Sequence, residues 1–495
     1  MTIEPPFPEF KKWARQGNLI ALRMQVPADL ETPVSAFLKL AAKEPCAFLL
    51  ESAEQEERIG RYSFLGFSPE AILSAKGGEL FLTQGRRRTV LGNDEDILEV
   101  LRNELSKRRL ANPEGFPNFI GGWVGFLGYE NVRLFEKVSL SRKNGLQLED
   151  AVFFLVKDFL LFDHFKKTLS IISLCEIKEK DEAGLKKAFD QAARKMLQTA
   201  KKLEQDLPSQ KRKLVAAQAR SIQTDFSKHE FEQKIQRIKQ YIRAGDCIQV
   251  VFSQRFHLGK VRDDFAVYRS LRSINPSPYM FYFRYGSLAL IGSSPEVLVR
   301  KTGRAAEVRP IAGTRIRGKS TAEDEKLEEN LKESKKEMAE HLMLVDLGRN
   351  DLGRVCEFKS IRVNDFATVE RYSHVMHLVS GITGRLKPGK DAMDLLKVTF
   401  PAGTVTGAPK IRAMEIIDEL ETEKRGPYAG SLGYFSFNRD MDMCITIRTI
   451  VVTKGEAYVQ AGAGVVYDSL PAMEYRETLN KARALVQAVH GKARD

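Results

Sequence analysis

Four glutamates set the chemistry this chain can do. Glu337 and Glu340 lie in KKEMAEHLMLVDLGRNDLGR, and Glu474 and Glu477 lie far downstream in AGAGVVYDSLPAMEYRETLNK. Each pair is spaced i, i+3, so each shares one face of a helix. Two such faces brought together present up to four carboxylates, whose repulsion is costly unless a cation sits between them. A hard, oxygen-preferring ion such as Mg²⁺ suits that arrangement, because it is usually held by one or two carboxylates plus its substrate. The same spacing also marks plain solvated helix faces, and Glu51/Glu54 and Glu325/Glu328 are read that way. Glu340 and Glu477 differ in context. They sit in apolar-rich helices close to glycine turns and strands, where an uncompensated acid is expensive.

Other residues offer complementary chemistry. Gly462, Ala463 and Gly464 read as a glycine turn whose backbone N–H groups can hold a carboxylate. The segment lacks the third glycine and following helix of a dinucleotide fingerprint, and GTVTGAPK is not a Walker A loop. Arg448, in MCITIRTIV, either lines a polar pocket, where its planar fork suits a substrate carboxylate, or faces solvent on an alternating strand. His374 and His377 form HxxH in RYSHVMHLVSG; a proton carrier and a satisfied buried histidine are both open readings. Glu296 follows a Ser-Ser-Pro turn. It is either a general acid with a raised pKa or a turn acid in water.

The elements that must position these groups are α+β in type: antiparallel sheets packed as a sandwich with surrounding helices. Strand patterns recur at CAFLLES, RYSFLGF, AILSAKGGELFLT, AVFFLVKDFLLFDH and LSIISLC, with 119–136 read as one glycine-punctuated strand. An amphipathic helix with Leu185, Phe189, Ala192 and Met196 on one stripe ends before Pro208. A basic polar stretch follows, which divides the chain into 1–205, a linker at 206–226, and 227–495. Within 227–495 a single helix is expected over about 322–347 and another from Ile411 to Leu420. GPYAGSLGYFSF, MDMCITIRTIVVT and EAYVQAGAGVVYD read as three successive strands.

Composition narrows the class. The 495 residues carry a net charge of +13, with short basic runs at Arg86-Arg87-Arg88 and Lys211-Arg212-Lys213. These lack aromatic interleaving or a nucleic-acid fold signature, so an anionic small substrate is the better reading than nucleic acid. The N-terminus has no apolar signal core, and no apolar run approaches membrane-spanning length. Five scattered cysteines with no CxxC pair suggest neither zinc nor a disulfide framework, and point to a reducing cytoplasm.

These residues sit within longer motifs: LLES, RYSFLG, NPSPYM, SSPE, RPIAGTRIRG, AEHLMLVDLGRNDLGRV, HVMHLVS, FPAGTVTGAPK and AGAGVVYDS. Over nearly its whole length the chain resembles anthranilate synthase component I, within the chorismate-utilising enzymes. The resemblance implies conversion of chorismate and ammonia to anthranilate and pyruvate, the first step of tryptophan biosynthesis. It implies Mg²⁺ on Glu340 and Glu477, with Glu337 and Glu474 close by, gripping the ring carboxylate. It implies that Arg448, Tyr428 and the Gly462–Gly464 backbone contact the enolpyruvyl carboxylate. Gly313, Thr314 and Thr404 are implied to face the substrate. Glu296 resembles the general acid for departure of the 4-hydroxyl, and His377 the histidine of the later elimination. Ser52 and Pro278-Tyr279-Met280 resemble a separate tryptophan site for feedback inhibition.

Two positions choose the branch. Gln249 stands where water-adding relatives carry a lysine base. Ala312 stands where the folate-branch component, aminodeoxychorismate synthase component I, often carries a lysine that adds covalently to the ring. Direct attack of ammonia on ring carbon 2 is therefore implied. None of the five cysteines has a glutaminase setting, so a partner glutamine amidotransferase subunit, anthranilate synthase component II, is expected, in a heterotetramer.

Overall fold

The computed structural model describes residues 2–52, 60–93, 95–141, 143–207, 222–318, 320–371 and 375–491. His374, Glu54, Lys211-Arg212-Lys213 and most of the expected linker lie outside them. Among the described residues the strands form two large sheets, one of 13 strands and one of 12, whose named strands all pair antiparallel. The sandwich with surrounding helices is therefore what the chain builds.

Both sheets run across the boundary drawn from sequence. In the first, Cys46–Glu51 pairs with Tyr279–Tyr285. In the second, Gly122–Leu127 pairs with Ser431–Ser436. Between the sheets lies a layer of aromatic side chains drawn from both halves, including Phe48, Phe64, Phe126, Phe154, Phe281 and Phe283. Phe154 and Phe283 stack across the layer with ring centroids 4.4 Å apart, an offset contact that aromatic quadrupoles favour.

Helices cover the outer faces. Pro471–His490 places Ala482, Leu485 and Ala488 in the core over the first sheet. Lys335–Val355 places Val345, Leu352 and Val355 in the core over the second. The single helix expected over 322–347 is two, Thr321–Glu333 and Lys335–Val355. Ser334 takes an extended backbone that ends the first, and its side chain caps the second by accepting from Glu337 N. Glu337 and Glu340 are thereby fixed in a helix's opening turns. Pro471 starts the other acid helix, where its missing N–H costs nothing.

Two of the crossings between the sheets lie side by side. Leu288–Ser294 belongs to the first sheet and Val297–Thr302 to the second, with Pro295 and Glu296 between them. Met441–Ile445 belongs to the second and Thr449–Thr453 to the first, with Arg448 at the crossing. Ile445 N donates to Glu296 O at 3.0 Å, Ser294 Oγ to Ile445 O at 2.7 Å, and Ser293 N to Arg448 O at 3.1 Å. The segment MDMCITIRTIVVT is thus two strands in different sheets, because the chain must break at 446–448 to change layers. Residues 119–136 likewise divide, into the Gly122–Leu127 strand and a 3-10 turn at Tyr129–Leu134.

Candidate active site

The glycine segment is the first correction. Gly462, Ala463 and Gly464 lie inside the strand Glu456–Val465, opposite Ser253, Phe252 and Val251, and do not form a turn. Glycine is needed here for close approach. A Cβ on Gly462 would stand 2.8 Å from the Tyr428 hydroxyl, and one on Gly464 2.9 Å from Gln249 Nε2. The strand also outruns its neighbour: pairing with Thr449–Thr453 stops at Ile450↔Val459. Beyond that point Gly462 O accepts a hydrogen bond from Lys481 Nζ at 2.9 Å.

Arg448 is the second correction. It sits in the sheet-to-sheet crossing with φ +50°, not within a strand. Its Nη1 donates to Lys481 O at 3.1 Å. Burial pulls its pKa down, partly offset by Tyr428 and Glu477. No carboxylate forms an ion pair with it among the described residues. A planar fork in that condition is suited to a ligand carboxylate.

Glu296 occupies the neighbouring crossing, only 8% exposed. Burial pushes its pKa up to about 8, against smaller opposing effects of the Thr404 hydroxyl and Lys481. Thr404 Oγ1 is buried and makes no well-aligned hydrogen bond. The two residues line one cavity with Leu344, Leu347 and Asp351. Glu296 is therefore a neutral acid at neutral pH, which is the state that can donate.

His377 lies in the strand Val375–Arg385. Its Nδ1 is 2.7 Å from Gly313 O and 3.1 Å from Thr314 Oγ1. The carbonyl requires Nδ1–H, which makes Nε2 the basic nitrogen. Burial holds the ring's pKa down, so it is neutral. Gly313 has φ +61°, and a Cβ there would come within 3.1 Å of Glu337 Oε2. The histidine strand and the first acid helix thus meet at this glycine.

The four acids are not equivalent. Glu340 accepts from Gln249 Nε2 at 3.1 Å, and its pKa is raised by burial, then by the charges of Glu337 and Glu477. Glu474 is also raised, chiefly by burial, with Glu477 adding to it and Ser469 opposing. Glu477 is half-exposed and pairs with Lys481 at 2.6 Å. Glu337 is turned to Arg315, 3.2 Å away. The two distant helices therefore bring Glu340 and Glu477 within electrostatic reach of each other. Among the described residues no group of three acids, histidines or cysteines is close enough to cage a metal. A hard cation held by one or two carboxylates and its substrate does not need such a cage. Carboxylate oxygens short of positive partners on Glu340 fit that mode.

Lys481 was not singled out from sequence. It touches Glu477, Gly462 O and, through its carbonyl, Arg448. Its charge also reaches Glu296, His377 and Glu474. The i, i+4 spacing from Glu477 was the available signal, but it reads equally as a surface pair.

The second group of expected residues lies along the Cys46–Glu51 and Tyr279–Tyr285 pairing, where Glu51 faces Met280. Ser52 Oγ is buried with no hydrogen-bond partner among the described residues. Met280 is buried, whereas the Tyr279 hydroxyl is taken up by Asp442 and Arg300, both at 2.9 Å. Glu51, read from sequence as a solvated acid, is in fact buried and accepts from Arg272 Nε at 3.0 Å and from the Tyr268 hydroxyl. Asn275, beside Pro278, donates to Ser293 Oγ at 2.7 Å, and Ser293 is the residue whose N–H holds Arg448 O. Arg86–Arg88 sit at an exposed hairpin and edge strand. No helix among the described residues is long and apolar enough to cross a membrane.

A family model described as chorismate binding enzyme matches residues 44–487. Anthranilate synthase component 1 of Acetivibrio thermocellus is 43% identical over 492 residues, covering 98% of each chain. That of Synechocystis is 45% identical, covering 98% of this chain and 99% of the other. The crystal structure of anthranilate synthase component I from Streptococcus pneumoniae superimposes with a TM-score of 0.77 at 36% identity, covering 93% and 99%. The menaquinone-specific isochorismate synthase of Escherichia coli shares the fold, with a TM-score of 0.72 at 18% identity, covering 97% and 98%. The chain belongs to the chorismate binding enzymes and, among them, to the anthranilate synthase component 1 family.

Proposed function

We propose that the chain is the large subunit of an anthranilate synthase, converting chorismate and ammonia to anthranilate and pyruvate. Full-length identity to component 1 relatives carries the reading. Arg448 and Lys481, beside Gly462, bind the enolpyruvyl carboxylate. Glu340 and Glu477 hold Mg²⁺, which supplies positive charge to fix the ring carboxylate. Glu296 donates its proton to the departing 4-hydroxyl while ammonia adds at ring carbon 2. His377 Nε2 then serves the proton transfer of pyruvate elimination. Gln249, neutral and held between Glu340 and Gly464, offers no base to activate water. Ala312 offers no nucleophile to the ring, which favours this product over aminodeoxychorismate.

Ammonia comes from a partner glutaminase. Support lies in the cysteines: burial raises the pKa of Cys46, Cys175, Cys247, Cys356 and Cys444 alike, the opposite of an activated thiolate. The complex works in the cytoplasm, in the first step of tryptophan synthesis, and tryptophan inhibits through Ser52 and Met280. The test is fluorescence of purified protein with chorismate, Mg²⁺ and ammonium, with and without tryptophan. Anthranilate without added lyase is expected. Accumulation of aminodeoxychorismate instead would transfer the chain to the folate branch, and no turnover of chorismate would end both readings.

A further inference from the structure

A buried ion pair stands directly behind the site. Glu421 and Arg425 have side chains 5% and 1% exposed, with Arg425 Nη2 to Glu421 Oε1 at 2.6 Å and Nε to Oε2 at 2.8 Å. Every side-chain hydrogen bond they make to other groups ends on an element that carries a site residue. Arg425 Nη1 donates to Val405 O at 2.7 Å, in the turn that bears Thr404. Arg425 Nη2 donates to Val251 O at 2.8 Å, in the strand that begins with Gln249. Glu421 Oε1 accepts from Ser253 N at 2.9 Å and Ser253 Oγ at 2.7 Å, and Ser253 lies opposite Gly462. The guanidinium also lies over the Tyr428 ring, 5.5 Å from its centroid, with Tyr129 on another side at 4.8 Å.

A buried ion pair is poor value for stability alone, because desolvation offsets its Coulomb gain and an apolar pair of similar volume often does as well. What an apolar pair cannot do is grip backbone carbonyls on two separate segments. Lysine cannot replace arginine either, since one ammonium lacks the fork that reaches several acceptors at once.

We propose that Glu421 and Arg425 are positioning residues of the catalytic site, locking the Thr404 turn, the Gln249 strand and Tyr428 into one wall against which the substrate is aligned. The inference rests on the chorismate reading given above. A displacement of about 1 Å in such a wall costs roughly 100-fold in rate, so the prediction is large.

The apolar double variant Arg425→Met with Glu421→Leu separates positioning from stability. It is expected to keep the wild-type melting temperature within a few degrees while kcat/KM for chorismate falls about 100-fold. The fall should appear in kcat as well as KM, because misalignment affects the reacting geometry. A stable double variant with kcat/KM within threefold of wild type overturns the proposal. Should the double variant fail to fold, Arg425→Lys decides: about 10-fold lower kcat/KM supports it, and wild-type turnover overturns it. Hydrogen exchange of Arg425→Lys without substrate gives a readout independent of activity. Faster exchange confined to residues 403–408 and 460–465 supports the lock, and unchanged exchange there overturns it. Were wild-type protein to leave chorismate untouched, the functional reading alone would fall, and exchange would still decide whether the pair locks these segments.

Discussion

Two sets of glutamates lie within one molecule and are treated in opposite ways. Glu421, behind the site, accepts from Arg425 Nε and Nη2 and from the Ser253 amide and hydroxyl. Glu340, at the front, accepts one hydrogen bond from a neutral glutamine and feels two further carboxylates. Folding completes the first and leaves the second short. A buried charge left short is costly, and it persists where a ligand completes it. Positive groups divide the same way: Arg425 is fully engaged, while Arg448 has one backbone carbonyl. The working face is recognised by what the protein withholds from it.

The sharpest way to break this contrast is to remove Glu340. If a cation completes the front set, Glu340→Ala loses about 1000-fold in ammonia-dependent turnover, and chelation of wild-type protein does the same. A variant that keeps wild-type turnover with Mg²⁺ present would show that the front acids are only a solvated rim.

Glu296 sharpens the contrast through pH. Its folded pKa, about 8, stands above the ordinary carboxyl value of 4.5. The folded state thus holds the proton more tightly than the unfolded chain. The favourable contribution is fully present below about pH 4.5 and is lost as pH rises through 8. Two outcomes follow. The general-acid step should decline above about pH 8 in kcat, and Glu296→Gln should lose about 100- to 1000-fold in kcat. The amide carries no charge to desolvate, so the variant's melting temperature should exceed the wild type's by about 4 °C or more at pH 9, with the gap closing near pH 5. Equal melting temperatures at pH 9 would show that the carboxyl is not held neutral.

Lys481 comes next in size. Removing one charge-assisted contact is worth about 1.5–3 kcal/mol. Lys481→Met is therefore expected to raise KM for chorismate roughly 10- to 100-fold, with a smaller change in kcat. A change in kcat alone would move this lysine from substrate binding to the chemistry at Glu296 and His377.

Glu340 and Glu477 stand out in the sequence because an acid in an apolar-rich helix is expensive, whereas Arg448, Glu296 and His377 keep a bland reading open on their residues alone and are singled out by the resemblance. The settings of the site residues were less legible. Gly462 and Gly464 read as a turn because glycine in sequence signals φ freedom, whereas here it signals the approach of Tyr428 and Gln249 from other strands. Arg448 reads as strand because 441–453 is largely apolar and β-branched with no glycine or proline, and only the change of sheet interrupts it. Ser334 splits a helix that periodicity joins, because a cap is a local event inside a polar stretch. Glu51 passed for a surface acid since its partners, Tyr268 and Arg272, come from a distant helix. The Glu421–Arg425 pair went unread for the mirror reason: i, i+4 spacing looks the same on a surface as in a core.

The smallest expected effect concerns the second group of residues, and it extends the same contrast to a hydroxyl. Ser52 Oγ is buried without a partner among the described residues, the neutral counterpart of Glu340's shortage. If tryptophan completes it, Ser52→Ala removes an acceptor or donor that only the bound state uses. The free protein loses nothing and sheds the cost of an unsatisfied group, so its stability stays level or rises by about 1 kcal/mol. Inhibition by tryptophan weakens about 10-fold, as expected for one hydrogen bond to a charged ligand, while kcat and KM for chorismate stay put because Ser52 is not among the residues that bind chorismate in this reading. Measured together by chemical denaturation and by inhibition curves, these distinguish a ligand contact from a packing defect. A packing defect would lower stability and leave the inhibition curve where it was.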